Sequence, residues 1–355
     1  MAIAACVIQT SCETTNYATS ARPASRANAV PTPIASSGAP MTTEPWSSGS
    51  LSGDLMTTST HRIYTTLPEG QLRDAVPRFA EQSVAHYRQM VTKLCDGVED
   101  LPPPPEKLDT FIFADRDDWV TWTRKRLGRD AGLYLAIERG GYTYDAESVL
   151  FDIGRYDTLC MLAHEGWHQY TQSFFPHPLP VWLEEGLATF AEGHRFRRSD
   201  QWPVFLPWRN LERFGQLRTS RKQGKLISLD DLLNFPPQAF VSRGEQSLLT
   251  YYSQVWLLVH YLVEGQNGKY TEGLCQLVSD AGHGRVASRL YDANKTAGRR
   301  GIRRSPAMAD AFITTYFDED TNAFKKGYLE FLEAVVASGN GMHIWRGDSP
   351  VATAP

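Results

Sequence analysis

Two histidines four residues apart, with a glutamate directly after the first, constrain this chain more than any other feature. The run His164-Glu165-Gly166-Trp167-His168 can do metal chemistry only on a helix. A helix brings residues i and i+4 to one face, about 6 Å apart along the axis, so both imidazoles can address one ion. Glu165, rotated by about 100° from His164, then lies beside the ion's open position, where a carboxylate can take a proton from water and pass it to a leaving amine. Leu159, Leu162, Ala163 and Trp167 form an apolar set that matches a buried helix. In a chain with nine histidines, such a motif arises by chance in roughly one sequence in a hundred.

A hydrolytic zinc site needs a third protein ligand. The proline-bounded stretch 176–180 ends the first helix, and Pro180 suits the start of a second. On that second helix Trp182, Leu183, Leu187, Phe190 and Ala191 form the apolar side, with Glu184 and Glu185 among them. Either glutamate can face the metal from an antiparallel neighbour, and Gly186 permits close approach between helices.

Residues 162–169 (LAHEGWHQ) and 179–190 (LPVWLEEGLATF) resemble the gluzincin clan of zinc metallopeptidases, and within it the bacterial peptidase MA-like proteins. The resemblance implies one zinc ion per chain, held by His164, His168 and the glutamate directly before glycine. That residue is Glu185 here, with Glu184 as the fallback. It implies a peptidase in which Glu165 activates zinc-bound water to hydrolyse the amide bond of a peptide or protein substrate. A metzincin ligand set is not expected, because no third histidine follows at the short spacing. Residues 252–262 (YSQVWLLVHYL) resemble the clan helix whose leading tyrosine stabilises the oxyanion. Tyr252 takes that role, and Tyr251 is its alternative or a substrate contact. In the clan an edge strand before the zinc helix pairs with extended substrate. Residues 136–143, with Gly140 and Gly141 in the middle, are the candidate, although a glycine pair also marks an ordinary bulge. The resemblance spans about residues 61–265. The implied fold is mixed α+β: a small mixed or antiparallel sheet lobe, the active-site helix, then a helical lobe. Two other readings compete: a noncatalytic zinc-containing envelope binding protein, and a zinc hydrolase of a non-protein amide such as peptidoglycan.

Around this centre four regions are expected. Residues 1–60 are rich in Ser, Thr, Ala, Pro and Gly, lack apolar periodicity and read as a disordered tether. Ile3-Ala4-Ala5-Cys6 resembles a lipobox, so the tether carries a possible truncated lipoprotein signal, with membrane attachment only through a lipid anchor. A cell-envelope or secreted location follows. Residues 61–155 read as an α/β lobe with strands at 62–66, 109–114, 133–144 and 148–151 and helices at 69–94 and 117–126. Residues 156–338 read as the zinc-binding helical lobe, and 339–355 as a flexible tail containing a chance Arg346-Gly347-Asp348. A net charge of −4 gives no pull toward nucleic acid. The basic clusters at 195–198, 218–225 and 299–304 read as solvated loops. Five scattered cysteines indicate neither a disulfide framework nor a thiolate zinc site, and Cys160 reads as core. His177, beside the zinc helix, and His194, after the Glu185 helix, read as surface residues, with a contact to substrate or support of a metal ligand as the alternative; His61, His86, His260, His283 and His343 have no constellation around them.

Overall fold

Apolar residues in the strand-like stretches at 109–114 and 148–151 are nearly continuous, the pattern of strands buried on both faces. The structure, a computed structural model that describes residues 41–96, 100–197, 201–241, 244–296 and 308–351, places them at the centre of a sheet. Its strands are β1 (Thr42–Ser48), β2 (Leu51–Thr57), β3 (His61–Thr65), β4 (Leu108–Phe113), β5 (Gly141–Tyr144) and β6 (Glu147–Phe151), in the order β1-β2-β3-β4-β6-β5. β3, β4 and β6 run parallel; the other pairings are antiparallel. Parallel neighbours need crossovers. α1 (Gln71–Arg88) and α2 (Met90–Leu94) make the first, and α3 (Arg116–Leu127) and α4 (Ala131–Leu135) lie within the second.

The period of two then sorts the strand residues. Ile63, Ile112 and Leu150 face Val76 and Phe79 of α1 together with Leu159 and Leu162. Phe111, Phe113, Val149 and Phe151 face Trp119 and Tyr134 on the other side. Behind the first face lies the helical lobe. It comprises α5 (Arg155–Phe174), α6 (Val181–Ala191), a hairpin of β7 (His194–Phe196) and β8 (Pro203–Phe205), then α7 (Leu211–Lys222), α8 (Leu229–Asn234), α9 (Gln238–Val241), α10 (Glu245–Gly268), α11 (Thr271–Gly282), α12 (Val286–Thr296), α13 (Met308–Tyr316), α14 (Thr321–Val335) and α15 (Gly341–Arg346). The fold is mixed α+β, sheet first and helices after, as expected. Among the described residues no helix is long and apolar enough to cross a membrane.

Five expectations need correction. The tether does not run to residue 60, because 42–57 form the β1–β2 hairpin, turned at Gly49 with φ 67°. Its Ser/Thr-rich sequence lacks a local signal, and the ladder onto β3 with burial of Leu51 and Met56 supplies the stability. The lipobox-like residues lie outside the described residues, as does the basic cluster at 299–304. Residues 133–144 are not one strand: α4 occupies its start, and β5 begins only at Gly141. The tail holds α15, whose Ile344 is fully buried and which Gly347 caps in the left-handed region. Finally, Cys95 after α2 and Cys275 in α11 form a disulfide across 180 residues, a pairing that spacing alone does not reveal. The cluster at 218–225 is likewise mostly helix, the last turns of an unanticipated α7.

Candidate metal centre

α5 is buried on nearly every side from Thr158 to Thr171, because the sheet, α1 and α6 all pack on it. Gly166 makes room for α1. A Cβ there would stand 2.8 Å from the Tyr87 hydroxyl, which donates to the Ala163 carbonyl at 2.6 Å. Gly186 does the same for α6 against α10. Its absent Cβ would sit 2.7 Å from Val259 Cγ2 and 2.9 Å from the Val255 carbonyl oxygen. Because α5 and α6 also pack on each other, the Gly186 approach gathers α5, α6 and the middle of α10 around one point.

At that point His164, His168 and Glu185 converge, all buried. The two Nε2 atoms are 3.3 Å apart, and Glu185 Oε2 lies 3.5 Å from His164 Nε2 and 3.4 Å from His168 Nε2. A tetrahedron with metal–ligand bonds of about 2.0–2.1 Å has edges of about 3.4 Å. Glu185 Oε2 is buried without a hydrogen-bond partner, as expected of an atom aimed at an ion. These three residues can hold a metal ion. Glu184, the fallback ligand, points elsewhere: its Oε1 meets His168 Nδ1 at 3.0 Å and accepts from Thr171 Oγ1 at 2.6 Å.

The far nitrogens of both histidines are therefore occupied. His164 Nδ1 meets Glu192 Oε1 at 2.9 Å, as His168 Nδ1 meets Glu184. A carboxylate on Nδ1 holds the proton there and leaves the Nε2 lone pair for a metal. Glu192 is itself gripped by Arg213 of α7, through Nη2 to Oε1 at 2.8 Å and Nε to Oε2 at 3.2 Å, and by Asn210 Nδ2 at 2.6 Å. Four carboxylates (Glu165, Glu184, Glu185, Glu192) thus share a buried volume with one guanidinium. With neutral imidazoles three negative charges are in excess there, and a divalent cation offsets two of them.

The proton affinities follow from this crowding. Burial opposes a charged His164, but the carboxylates of Glu185 and Glu192 outweigh it and raise its pKa. Burial likewise opposes a charged His168, whose pKa Glu185 and Glu184 lift well above the ordinary value. Burial pushes Glu165 up, against the nearby histidines and the hydroxyl of Thr143. Glu192 is held low: Arg213 and then His164 overcome the burial penalty.

Glu165 is fully buried beside the triad. Its Oε2 accepts from Thr143 Oγ1 at 2.8 Å, and its Oε1 has no hydrogen-bond partner. The Tyr252 ring stands edge-on to His164, with centroids 5.9 Å apart, and Arg213 lies over it at 5.3 Å. The Tyr251 hydroxyl is buried without a hydrogen-bond partner; burial first, then the charge of Glu185, pushes its pKa well up. Residues 136–140 precede the strand, and Gly141 opens β5, the sheet's edge strand beside β6. Gly140 has φ 118°, and a Cβ on Gly141 would strike Leu150 Cδ2, so both glycines also answer local packing demands. His177 is exposed and apart from the site. His194 is not a surface residue: it is fully buried, its Nδ1 is 2.9 Å from the Glu192 carbonyl oxygen, and burial lowers its pKa to about 4.

The sequence reading missed Glu192, Asn210 and Arg213. One signal for Glu192 was present, since it stands seven residues after Glu185 and seven residues make two helical turns. Arg213 offered none, because α7 has only a weak apolar stripe.

A family model described as a protein of unknown function (DUF1570) matches residues 158–297. The match takes in the whole metal constellation. It runs from the first turns of α5 to just past α12 and covers both histidines, Glu165, Glu184, Glu185, Glu192, Arg213, Tyr251 and Tyr252, but not Thr143 or the sheet. No curated protein matches the chain.

Proposed function

We propose that this chain is a zinc-dependent peptidase of the gluzincin type. One observation carries the reading: the buried His164, His168 and Glu185 atoms stand at tetrahedral spacing, and the unpartnered Oε1 of Glu165 lies in the same buried cluster. Four carboxylates against one guanidinium favour a divalent cation, and mixed imidazole–carboxylate ligation suits zinc. Bound there, zinc would polarise the scissile carbonyl and acidify a water molecule.

The remaining work falls to the chain's own side chains. Glu192 and Glu184 hold the imidazoles in the tautomer that presents Nε2. Glu165 takes a proton from the attacking water, the oxygen bonds to the carbonyl carbon, and the same proton passes to the amine nitrogen as the C–N bond breaks. A phenol at the start of α10 donates to the developing oxyanion. Tyr252, packed against His164, is assigned that task, with Tyr251 as the neighbour whose free hydroxyl contacts substrate. The free edge of β5 receives an extended peptide by strand addition. The disulfide between Cys95 and Cys275 supports an oxidising compartment, hence the cell envelope or the exterior.

The test is Glu165→Gln assayed beside wild type on a peptide library and on cell-wall fragments. The variant should keep one zinc per chain and lose turnover. Wild-type cleavage of cell-wall amides but not peptides would transfer the reading to that substrate. Undiminished peptide cleavage by the variant would refute the mechanism.

A further inference from the structure

We propose that Thr143 is the positioning residue for Glu165: its hydroxyl ties down one carboxylate oxygen and so selects the other as the proton acceptor. This rests on the peptidase reading above and adds a residue that lies outside the DUF1570 match.

The terminal torsion of a glutamate is broad, so nothing in the side chain itself decides which oxygen faces a reacting group. An external donor must decide. Thr143, only 1 % exposed, stands in β5 opposite Ser148 of β6. Its Oγ1 is 2.8 Å from Glu165 Oε2, 2.9 Å from the Glu165 carbonyl oxygen and 3.2 Å from Ser148 Oγ. A hydroxyl has one proton to give. Ser148 Oγ also reaches that carbonyl oxygen, at 3.1 Å, so the carbonyl has a second donor while Oε2 has only Thr143. Ser148 Oγ also lies 3.2 Å from Gln169 Oε1, but that oxygen has Thr110 Oγ1 as a donor at 3.2 Å. Thr143 therefore donates to Oε2, and Ser148 is left to donate to the carbonyl. Oε1 is left buried without a hydrogen-bond partner, with both lone pairs open to a proton while Thr143 holds one of those on Oε2.

The placement has a consequence for substrate. Among the described residues β5 pairs only with β6, so its other edge is where an extended peptide would add. The residue that orients the base thus sits on the strand that would seat the substrate. A shift of that strand on peptide binding is transmitted to the carboxylate through one hydrogen bond.

Thr143→Val removes the hydroxyl at nearly constant shape, and Thr143→Ser keeps it. In zinc-loaded protein, Thr143→Val should lower kcat by about tenfold to a hundredfold, with KM and zinc content within about twofold of wild type. Thr143→Ser should restore kcat to within about threefold. In metal-free protein, a thermal-melt cycle of Thr143→Val, Glu165→Ala and the double variant should be non-additive, because each single change removes the same contact. If wild type cleaves no peptide, the peptidase reading falls while the cycle still judges the contact. An additive cycle, a Thr143→Val kcat equal to wild type, or a loss of kcat that Thr143→Ser does not restore would each overturn the positioning role.

Discussion

Replacing Gly186 by alanine puts a methyl group where α6 touches α10. The new Cβ would lie 2.7 Å from Val259 Cγ2 and 2.9 Å from the Val255 carbonyl oxygen. Val259 can yield by turning its side chain, but the carbonyl belongs to helix backbone. Reaching an ordinary contact of about 3.4 Å therefore requires the helices to part by about 0.5 Å. Overpacking of this kind costs about 1–3 kcal/mol, and the better helix propensity of alanine returns up to about 1 kcal/mol. A net loss near 1 kcal/mol lowers Tm by only about 2–4 °C. A bound zinc ion would feel more. Glu185 is the adjacent residue, and metal sites tolerate ligand displacements of about 0.2 Å. Zinc affinity, measured by competition with a chromogenic chelator, should therefore fall at least about tenfold while the melt barely moves. Unchanged affinity, or a stability gain without zinc loss, would show that the close packing at Gly186 does not place Glu185.

Glu192→Gln should weaken zinc binding about 10–100-fold with the three ligands intact, because a neutral amide holds the Nδ1 proton of His164 less strongly than a carboxylate and can turn its NH2 toward the ring; the same chelator competition checks this, and wild-type affinity would refute the bracing role. His61, His86 and His260 are buried, and burial lowers the pKa of each from 6.5 to about 3. A depressed histidine pKa means stability that is complete above pH 6.5 and lost as pH falls toward the folded value. Because the unfolded imidazole is already half-protonated at pH 6.5, each costs about 1 kcal/mol between pH 6.5 and 5.5, and the three together about 3 kcal/mol. Buried His194 adds to this slope and the raised carboxyl of Glu212 opposes it, so the check is a difference: in metal-free protein the stability of His86→Phe, from urea midpoints, should fall by about 1 kcal/mol less than that of wild type between pH 6.5 and 5.5. Reducing Cys95–Cys275 frees a 180-residue closure, worth about 5 kcal/mol by chain entropy. Dithiothreitol should lower the melting temperature of wild type and leave Cys95→Ser/Cys275→Ser unmoved.

The local periods alone sufficed for much of the molecule. His164, Glu165 and His168 share a helix that the apolar set Leu159, Leu162, Ala163 and Trp167 marks by its period, and the α6 helix with its paired glutamates is bounded by Pro180 at one end. The strand at 108–113, the sheet-then-helix order and the small residue at 186 were legible for the same reason: each depends on neighbours within a turn or a strand. What lay beyond such neighbours was not legible. Thr42–Ser48 is a strand only because β2, itself anchored on β3, completes its hydrogen-bond ladder, and Cys95 finds Cys275 only because α2 and α11 pack together. The choice between Glu184 and Glu185 was settled by the crossing of α5 and α6, which aims one carboxylate at both Nε2 atoms and the other at His168 Nδ1. Arg213 on Glu192 and Thr143 on Glu165 are contacts 21 and 22 residues apart in sequence. Hydrogen bonds across such separations have no period to betray them; only the tertiary packing that desolvates both partners makes them form and makes them strong.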